Sequence, residues 1–416
     1  MAVPTLKTVR PFLVRMHRYT GLLLAAILFT AGLTGSLCAF QDEIDAALNP
    51  DLFRPGDPGT HSDIDSGTHS GTRPGDRNDV PHDLSYLLTR LHDQRPAAHI
   101  NALLYRPAPG RTIEAFATEE GTGLHPALET ELFVDPSSGT IQGMRPAEGC
   151  CLTRRALMPF IYRVHYSLDL GSTGTWIMGL SAILWSVDCI VGLLLTFPLH
   201  PAIWATGFWS RWRKSWTIAI GRSSIRLAFD LHRAVSLWLL VVLLGVAVSG
   251  VALALGDEVF NPVVRAVQPT APPLAPPQPD TPPHAVTLDQ AERIAATYTA
   301  AHGDHAPPAA VLLAADGSTA TFYLFSSNGL SPSGFGSSRL SVDLTTGRVT
   351  DGQIPGQGRA GDLVLQIQFP WHSGEIAGLF GRIVICISGI AVCLLSVTGV
   401  MIWWRKRRPA KTARRG

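Results

Sequence analysis

The sequence predicts an α-helical membrane protein: four transmembrane helices, built as a two-span unit used twice, with two small α+β domains outside the bilayer. Three observations predict this class. Four apolar stretches are long enough to cross a bilayer as helices. Glycines, hydroxyl residues and acids recur around them at matched offsets from four histidines, in an A-B-A-B order. Lys and Arg crowd into the segments that would lie on one side of the membrane.

The A frame opens at His17-Arg18 and again at His232-Arg233. Counting from each histidine, a Thr/Ser-Gly pair falls at 17 and 18 (Thr34-Gly35, Ser249-Gly250) and an acidic pair at 25 and 26 (Asp42-Glu43, Asp257-Glu258). An offset of 18 is five helical turns, so Gly35 and Gly250 are expected on the faces that carry His17 and His232. The B frame opens at His165 and His372. Glycines follow at offsets 6, 9 and 27: Gly171, Gly174 and Gly192, then Gly378, Gly381 and Gly399. The spans of this frame are expected to begin near Gly174 and Gly381, each with its histidine just upstream. Self-similarity of this kind is read before any single element, because it sets the architecture.

Only 16% of the 416 residues are charged and 46% are hydrophobic, while 31 prolines and 39 glycines signal long irregular connections. Residues 1–40 carry Lys7, Arg10, Arg15 and Arg18 and no acid. The 198–229 stretch carries Arg211, Arg213, Lys214, Arg222 and Arg226 and no acid, and seven Lys/Arg follow Trp404. The positive-inside rule then puts both chain ends and the middle loop in the cytoplasm and the two long connections outside. No nucleic-acid partner is expected.

The elements in order are these. Residues 1–40 form the N-terminus and first span; Ser36-Leu37-Cys38-Ala39 is a poor cleavage site, and the echo at His232 favours a retained helix over a signal peptide. Residues 41–160 form the first external domain. Its 51–83 insert, rich in Gly, Asp, Ser, Thr and Pro, reads as a solvated linker. His61, His69, Asp63 and Asp65 lie there with nothing to fix ligand geometry. A helix is expected from Asp83 to Gln94, with strands over Ala102 to Ala117 and Glu131 to Ile141. The second span covers 161–198, a Trp- and Arg-rich loop 199–226 and the third span 227–256. The second external domain, 257–370, begins with a Pro-rich linker at 270–283. A helix is expected from Leu288 to Ala301, with strands from Ala309 to Ser326 around the Asp316-Gly317 turn and from Leu340 to Val349. Val134-Asp135 with Gly139 and Val342-Asp343 with Gly347 are matching turns 208 residues apart. The fourth span covers 371–404 and a basic tail 405–416.

Chemistry rests on the histidines. Topology puts His17 and His232 near one face of the membrane and His165 and His372 near the other, and only residues at one depth can share a metal. Each histidine alone reads as a polar group at a helix end; four at matched offsets do not. Two imidazoles per site leave zinc or copper short of a third or fourth ligand. Haem iron has four ring nitrogens already and takes two axial histidines. Gly35, Gly250, Gly192 and Gly399 would leave a face free for a flat macrocycle, or they only let helices approach. Arg18 and Arg233 would meet propionates, or they only set topology. No Cys-x-x-Cys-His is present for covalent attachment, so two b-type, bis-histidine haems are expected, making an electron path across the bilayer. Cys150-Cys151 lies outside, where oxidation is permitted. Without a Gly-x-Gly-x-x-Gly nucleotide motif, the donor is expected to be quinol or a separate reductase. Asp188 falls within the second span, where it is expected to be protonated or hydrogen-bonded between helices.

His17-Arg18-Tyr-Thr-Gly21, Asp230-Leu231-His232-Arg233, Val134-Asp135-Pro136 with Gly139, and Trp371-His372-Ser-Gly374 running to Ser396-Val-Thr-Gly399 with Trp403-Trp404 resemble the PepSY-associated transmembrane proteins, over nearly the whole chain. The departures are the long 51–83 insert and Val191-Gly192 where Thr-Gly is typical. The resemblance implies a bacterial inner-membrane protein linked to iron acquisition, with His17, His232, His165 and His372 as haem ligands. It implies reduction of a ferric siderophore in the periplasm. The alternatives are a non-enzymatic PepSY protein that binds a protease or senses the envelope, and an electron conduit to another acceptor such as Cu(II).

Overall fold

A computed structural model describes residues 6–56, 83–106, 108–119, 128–147, 153–200, 205–221, 223–270, 284–325 and 335–407. The rest of the 51–83 insert, Cys150-Cys151, most of the 270–283 linker and most of the basic tail lie outside the described residues. The chain divides into a helical unit (1–40, 161–267, 367–416) and a sheet unit (41–160, 268–366).

In the helical unit three helices are long and apolar enough to cross a membrane, and a fourth span exists if a bent pair is counted as one. Leu6–Cys38, Gly171–Thr196 and Gly378–Arg407 are continuous. The third expected span is not: Ser224–Trp238 and Leu240–Ala254 meet at Leu239 with a bend of 72°. No proline or glycine stands at the bend, so the sequence offers no breaker there. The bend undoes the five-turn argument for Gly250, which no longer shares a straight face with His232. Leu6–Cys38 packs against both Gly378–Arg407 and Gly171–Thr196. The first of these crossings is close because small residues meet. A side chain on Gly32 would come within 2.6 Å of the Gly389 carbonyl, and Ser36 Oγ donates to Cys386 O at 2.9 Å.

The B-frame glycines now have physical reasons. His165 sits on a separate helix, Arg154–Ser167, and His372 on Gln368–Ser373. At offset 6, Gly171 and Gly378 take positive φ of 58° and 56° to turn the chain into the next helix. At offset 9, Gly174 and Gly381 lie so close to the carbonyls of Ser167 and Gly374 that a Cβ would overlap them. Gly174→Ala should therefore cost about 1–3 kcal/mol or more, as overpacking against backbone does. It should lower the unfolding midpoint in detergent well below that of Gly21→Ala, whose Cβ meets nothing.

The sheet unit follows the expected elements closely. Helix Leu84–Gln94 precedes β1 (Ala98–Leu104), β2 (Ile113–Glu119), β3 (Leu128–Val134) and β4 (Ile141–Pro146). Helix Leu288–Ala301 precedes β5 (Pro308–Leu313), β6 (Thr319–Leu324), β7 (Ser338–Asp343) and β8 (Arg348–Gln353). Thr287 and Gln290 cap the second helix reciprocally. Asp135 Oδ1 accepts from Ser137 N and Ser138 N at 2.8 and 3.0 Å, and Asp343 Oδ1 accepts from Thr345 N and Thr346 N at 2.7 and 3.0 Å. The two turns match in geometry as in sequence.

The two halves are not separate sheets. β1 and β5 pair antiparallel, Leu103 opposite Val311, giving one eight-stranded sheet in the order β4-β3-β2-β1-β5-β6-β7-β8. Pairing covers two edges that would otherwise stand open. Both helices bury their apolar stripes on one face, Leu84, Leu87 and Leu91 beside Ala291 and Ala295, against Leu132, Val134, Phe322, Leu340 and Val342.

Alternation along β3 sends Phe133 and Glu131 to the other face. There Leu52 and Phe53 are buried against Phe133. The first residues of the supposed linker are thus structural, because Pro50-Asp51-Leu52-Phe53 forms a helical turn that plants two apolar side chains. Beside them Arg145, 6% exposed, donates to Glu131 Oε2 at 2.6 Å and pairs with Asp45 Oδ2 at 2.7 Å.

Among the described residues Glu114 has no such close partner. Desolvation first, then the nearby charges of Glu131 and Asp42, push its carboxyl up to about 7, against the opposing pull of Arg111 and Arg145. A folded-state value above the unfolded one favours the protonated fold, so this residue costs stability as pH rises from the ordinary carboxylate range through about 7. Glu114→Gln should raise the unfolding midpoint at pH 8, and its advantage over wild type should vanish near pH 4.

Candidate functional site

The helical unit brings the four histidines together in two pairs. His17 and His232 have ring centres 6.2 Å apart, and His165 and His372 have theirs 6.0 Å apart. His17 lies near the start of Leu6–Cys38, and His165 is held by Thr34 near its end. Seventeen residues at 1.5 Å per residue put His17 and Thr34, the seat of His165, about 26 Å apart along this helix, inside the roughly 30 Å of a hydrocarbon core.

Each imidazole is seated by a different helix from its own. His165 Nδ1 is 3.1 Å from Thr34 Oγ1, His372 Nδ1 2.8 Å from Ser249 Oγ, and His232 Nδ1 3.1 Å from both Thr398 Oγ1 and Leu395 O. His17 Nδ1 is 3.0 Å from Asp188 Oδ1. The tautomers follow from these partners. Thr34, Ser249 and Thr398 each donate to a carbonyl of their own helix, Thr30, Val246 and Leu394. Their oxygens are then left to accept, so Nδ1 carries the proton and Nε2 keeps its lone pair. A ring so held presents Nε2 as a metal ligand.

The four glycines lie against imidazoles that neighbouring helices present. A Cβ on Gly35 would come within 2.8 Å of His165 Cε1, on Gly399 within 3.3 Å of His232 Cε1, and on Gly192 within 3.5 Å of His17 Cε1. Gly250 is looser, 3.9 Å from His372 Cε1. The hydroxyl partners were legible as the Thr or Ser before Gly35, Gly250 and Gly399, but their role needed the neighbouring helix. The Asp188 partnership, a hydrogen bond between helices, has no counterpart in the repeat and only the fold shows its target.

The arginines divide. Arg233 donates from Nε to Ser215 O and from Nη2 to Lys214 O, both at 3.1 Å, and pairs with Asp230 at 3.0 Å, so it ties the 199–226 loop to the third span. Asp230, buried, also pairs with Arg226 at 3.0 Å. Arg18 lines an open cavity of about 600 Å³ with Arg10, Arg15, Tyr19 and Leu199. In the loop, Trp212 donates from Nε1 to Thr196 Oγ1 at 3.0 Å and packs on Phe197 and Trp216, while Trp209 stays exposed. Trp204 lies outside the described residues.

The residues fit bis-histidine haem. A metal–imidazole bond of roughly 2.0 Å on each side, with roughly 1.1 Å from nitrogen to ring centre, sets two axial rings about 6 Å apart. Both pairs have that spacing. Beside His372, the buried Trp371 Nε1 has no hydrogen-bond partner among the described residues, a donor that a bound anionic group would satisfy. Among the described residues no three His, Cys, Asp or Glu side chains gather as a bare metal ion would need.

Membrane-length helices, with an antiparallel sheet unit between them in sequence and two half-buried imidazole pairs among the helices, define a polytopic membrane protein. The chain belongs to the PepSY-associated transmembrane family: the profile described as the PepSY-associated TM region matches residues 14–406. A search of the curated proteins found no match.

Proposed function

We propose that this chain is an inner-membrane di-haem b reductase that passes electrons across the bilayer to a ferric siderophore in the periplasm, releasing iron as Fe(II). The observation that carries the reading is the two imidazole pairs, met at opposite ends of the Leu6–Cys38 helix through His17 and Thr34, each with Nδ1 occupied and Nε2 available. The architecture that goes with it is a two-span unit used twice, the bent helix pair counting as one span. Both termini are cytoplasmic by the distribution of Lys and Arg, and the sheet unit is periplasmic.

Haem supplies reversible one-electron chemistry when bound. His17 and His232 would hold one group and His165 and His372 the other, each through Nε2. The seats on Thr34, Ser249, Thr398 and Asp188 keep the rings from turning as iron changes charge. One electron reduces the substrate Fe(III) to Fe(II), which hard oxygen donors hold far less strongly, so no bond of the chelator is cut. Quinol or a separate reductase supplies the electron.

Purified protein should show low-spin b-type bands; a colourless protein, as a non-enzymatic PepSY protein would be, overturns the reading. Dithionite-reduced protein freed of reductant should be reoxidised anaerobically by ferric siderophores, with Fe(II) trapped by a ferrous-specific chelator. Reoxidation by Cu(II) but by no ferric chelate would move the assignment to a copper-directed conduit.

A further inference from the structure

The seat of His17 differs in kind from the other three. In those, a neutral hydroxyl stands immediately before the glycine: Thr34-Gly35, Ser249-Gly250 and Thr398-Gly399. The fourth seat has Val191-Gly192, and the hydrogen-bond acceptor is Asp188, one helical turn earlier on the same face. Asp188 is 8% exposed inside the Gly171–Thr196 helix, where a carboxylate is expensive and marks function by default. Val191 is 5% exposed, so the helix had a buried position for the ordinary hydroxyl and uses it for an apolar side chain instead.

We propose that Asp188 makes the His17–His232 site the lower-potential member of the two haem sites, and so sets the direction of electron flow towards the His165–His372 site. The inference rests on the haem reading above. Charge-assisted hydrogen bonds are about twice as strong as neutral ones. His17 Nδ1–H donating to a carboxylate gives the ring more imidazolate character than donation to a hydroxyl, and a stronger donor ligand favours the ferric over the ferrous state. The other three ligands lack this: their acceptors are Thr34, Ser249 and Thr398 with the Leu395 carbonyl, all neutral. No electron is created or consumed by the asymmetry; the electron lost by the first site is the one gained by the second. Asp188 is a positioning residue acting through His17.

Redox titration of the haem-loaded full-length protein tests it. Wild type should titrate in two one-electron waves. Asp188→Asn, and separately the double variant Asp188→Ala with Val191→Thr, which rebuilds the hydroxyl seat, should shift the lower wave upward and leave the upper wave in place. A tenfold change in the ferric/ferrous ratio, about 59 mV for one electron, is the expected scale. The ferric electron paramagnetic resonance signal of that site alone should move, since it reports ligand donor strength. Two haems with unshifted waves in either variant overturn the inference while leaving the haem reading intact. Loss of one haem from Asp188→Asn with normal loading and unshifted waves in the double variant overturns it as well, leaving Asp188 a structural seat. A wild-type protein without haem fails at the earlier step.

Discussion

On the di-haem reading proposed above, replacing His232 by Ala should take the purified protein from two haems per chain to about one, and the haem that remains should keep the spectrum and potential of the His165–His372 site. The expectation follows from the separation of the pairs: they share no ligand, their seats are on different stretches of helix, and effects at sites this far apart add. His232 is held by Thr398 and Leu395 of the last helix, contacts that the His372 seat on Ser249 does not use. Haem quantified by pyridine haemochrome against protein concentration reads the result. Loss of both haems, or of neither, would mean that the imidazoles do not act as the two pairs their spacing indicates.

Arg145→Met should destabilise the sheet unit by about 3–5 kcal/mol at neutral pH, the range for removing one partner of a buried ion pair. Arg145, Glu131 and Asp45 are each between 5 and 6% exposed, so the variant leaves two carboxylates buried without their cation. The pH dependence has a definite sign. Desolvation already raises the Glu131 carboxyl, and the Arg145 hydrogen bond and charge oppose it. Without Arg145 the folded-state value rises further above the unfolded one. The penalty is then absent below the ordinary carboxylate range of about 4 and grows as pH rises through the raised folded value. Unfolding midpoints of the full-length variant should therefore approach wild type near pH 4 and fall away above it. Adding Glu131→Gln should recover part of the loss at neutral pH, because one of the two stranded charges is removed.

How much was legible depended on whether a signal was local. Periodicity over Leu288–Ala301 and the Asp135 and Asp343 turns carried their own structure, since capping, amphipathic spacing and side-chain-to-backbone bonds lie within a few residues. The B-frame glycines were visible as offsets, but positive φ at Gly171 and Gly378 and the backbone overlap at Gly174 and Gly381 depend on how a short helix folds back on the next. Leu52 and Phe53 lay within a polar stretch whose composition hid a turn packed on Phe133. The 72° bend at Leu239 had no breaker to announce it.

The sequence by itself determined the three continuous membrane-length helices, the family and the succession of helix and strands in each half, and it singled out four histidines that the fold brings together in pairs, because hydrophobicity, repeat offsets and turn chemistry are written along the chain. The tertiary structure alone decided that the two halves share one sheet through β1 and β5, that Arg233 ties the 199–226 loop to the third span, and that each imidazole is oriented by a residue of another helix. Those are pairings between segments from tens to more than a hundred residues apart. A hydrogen bond of that range leaves no mark on either segment alone, and His17 meets Asp188 only once two helices have packed.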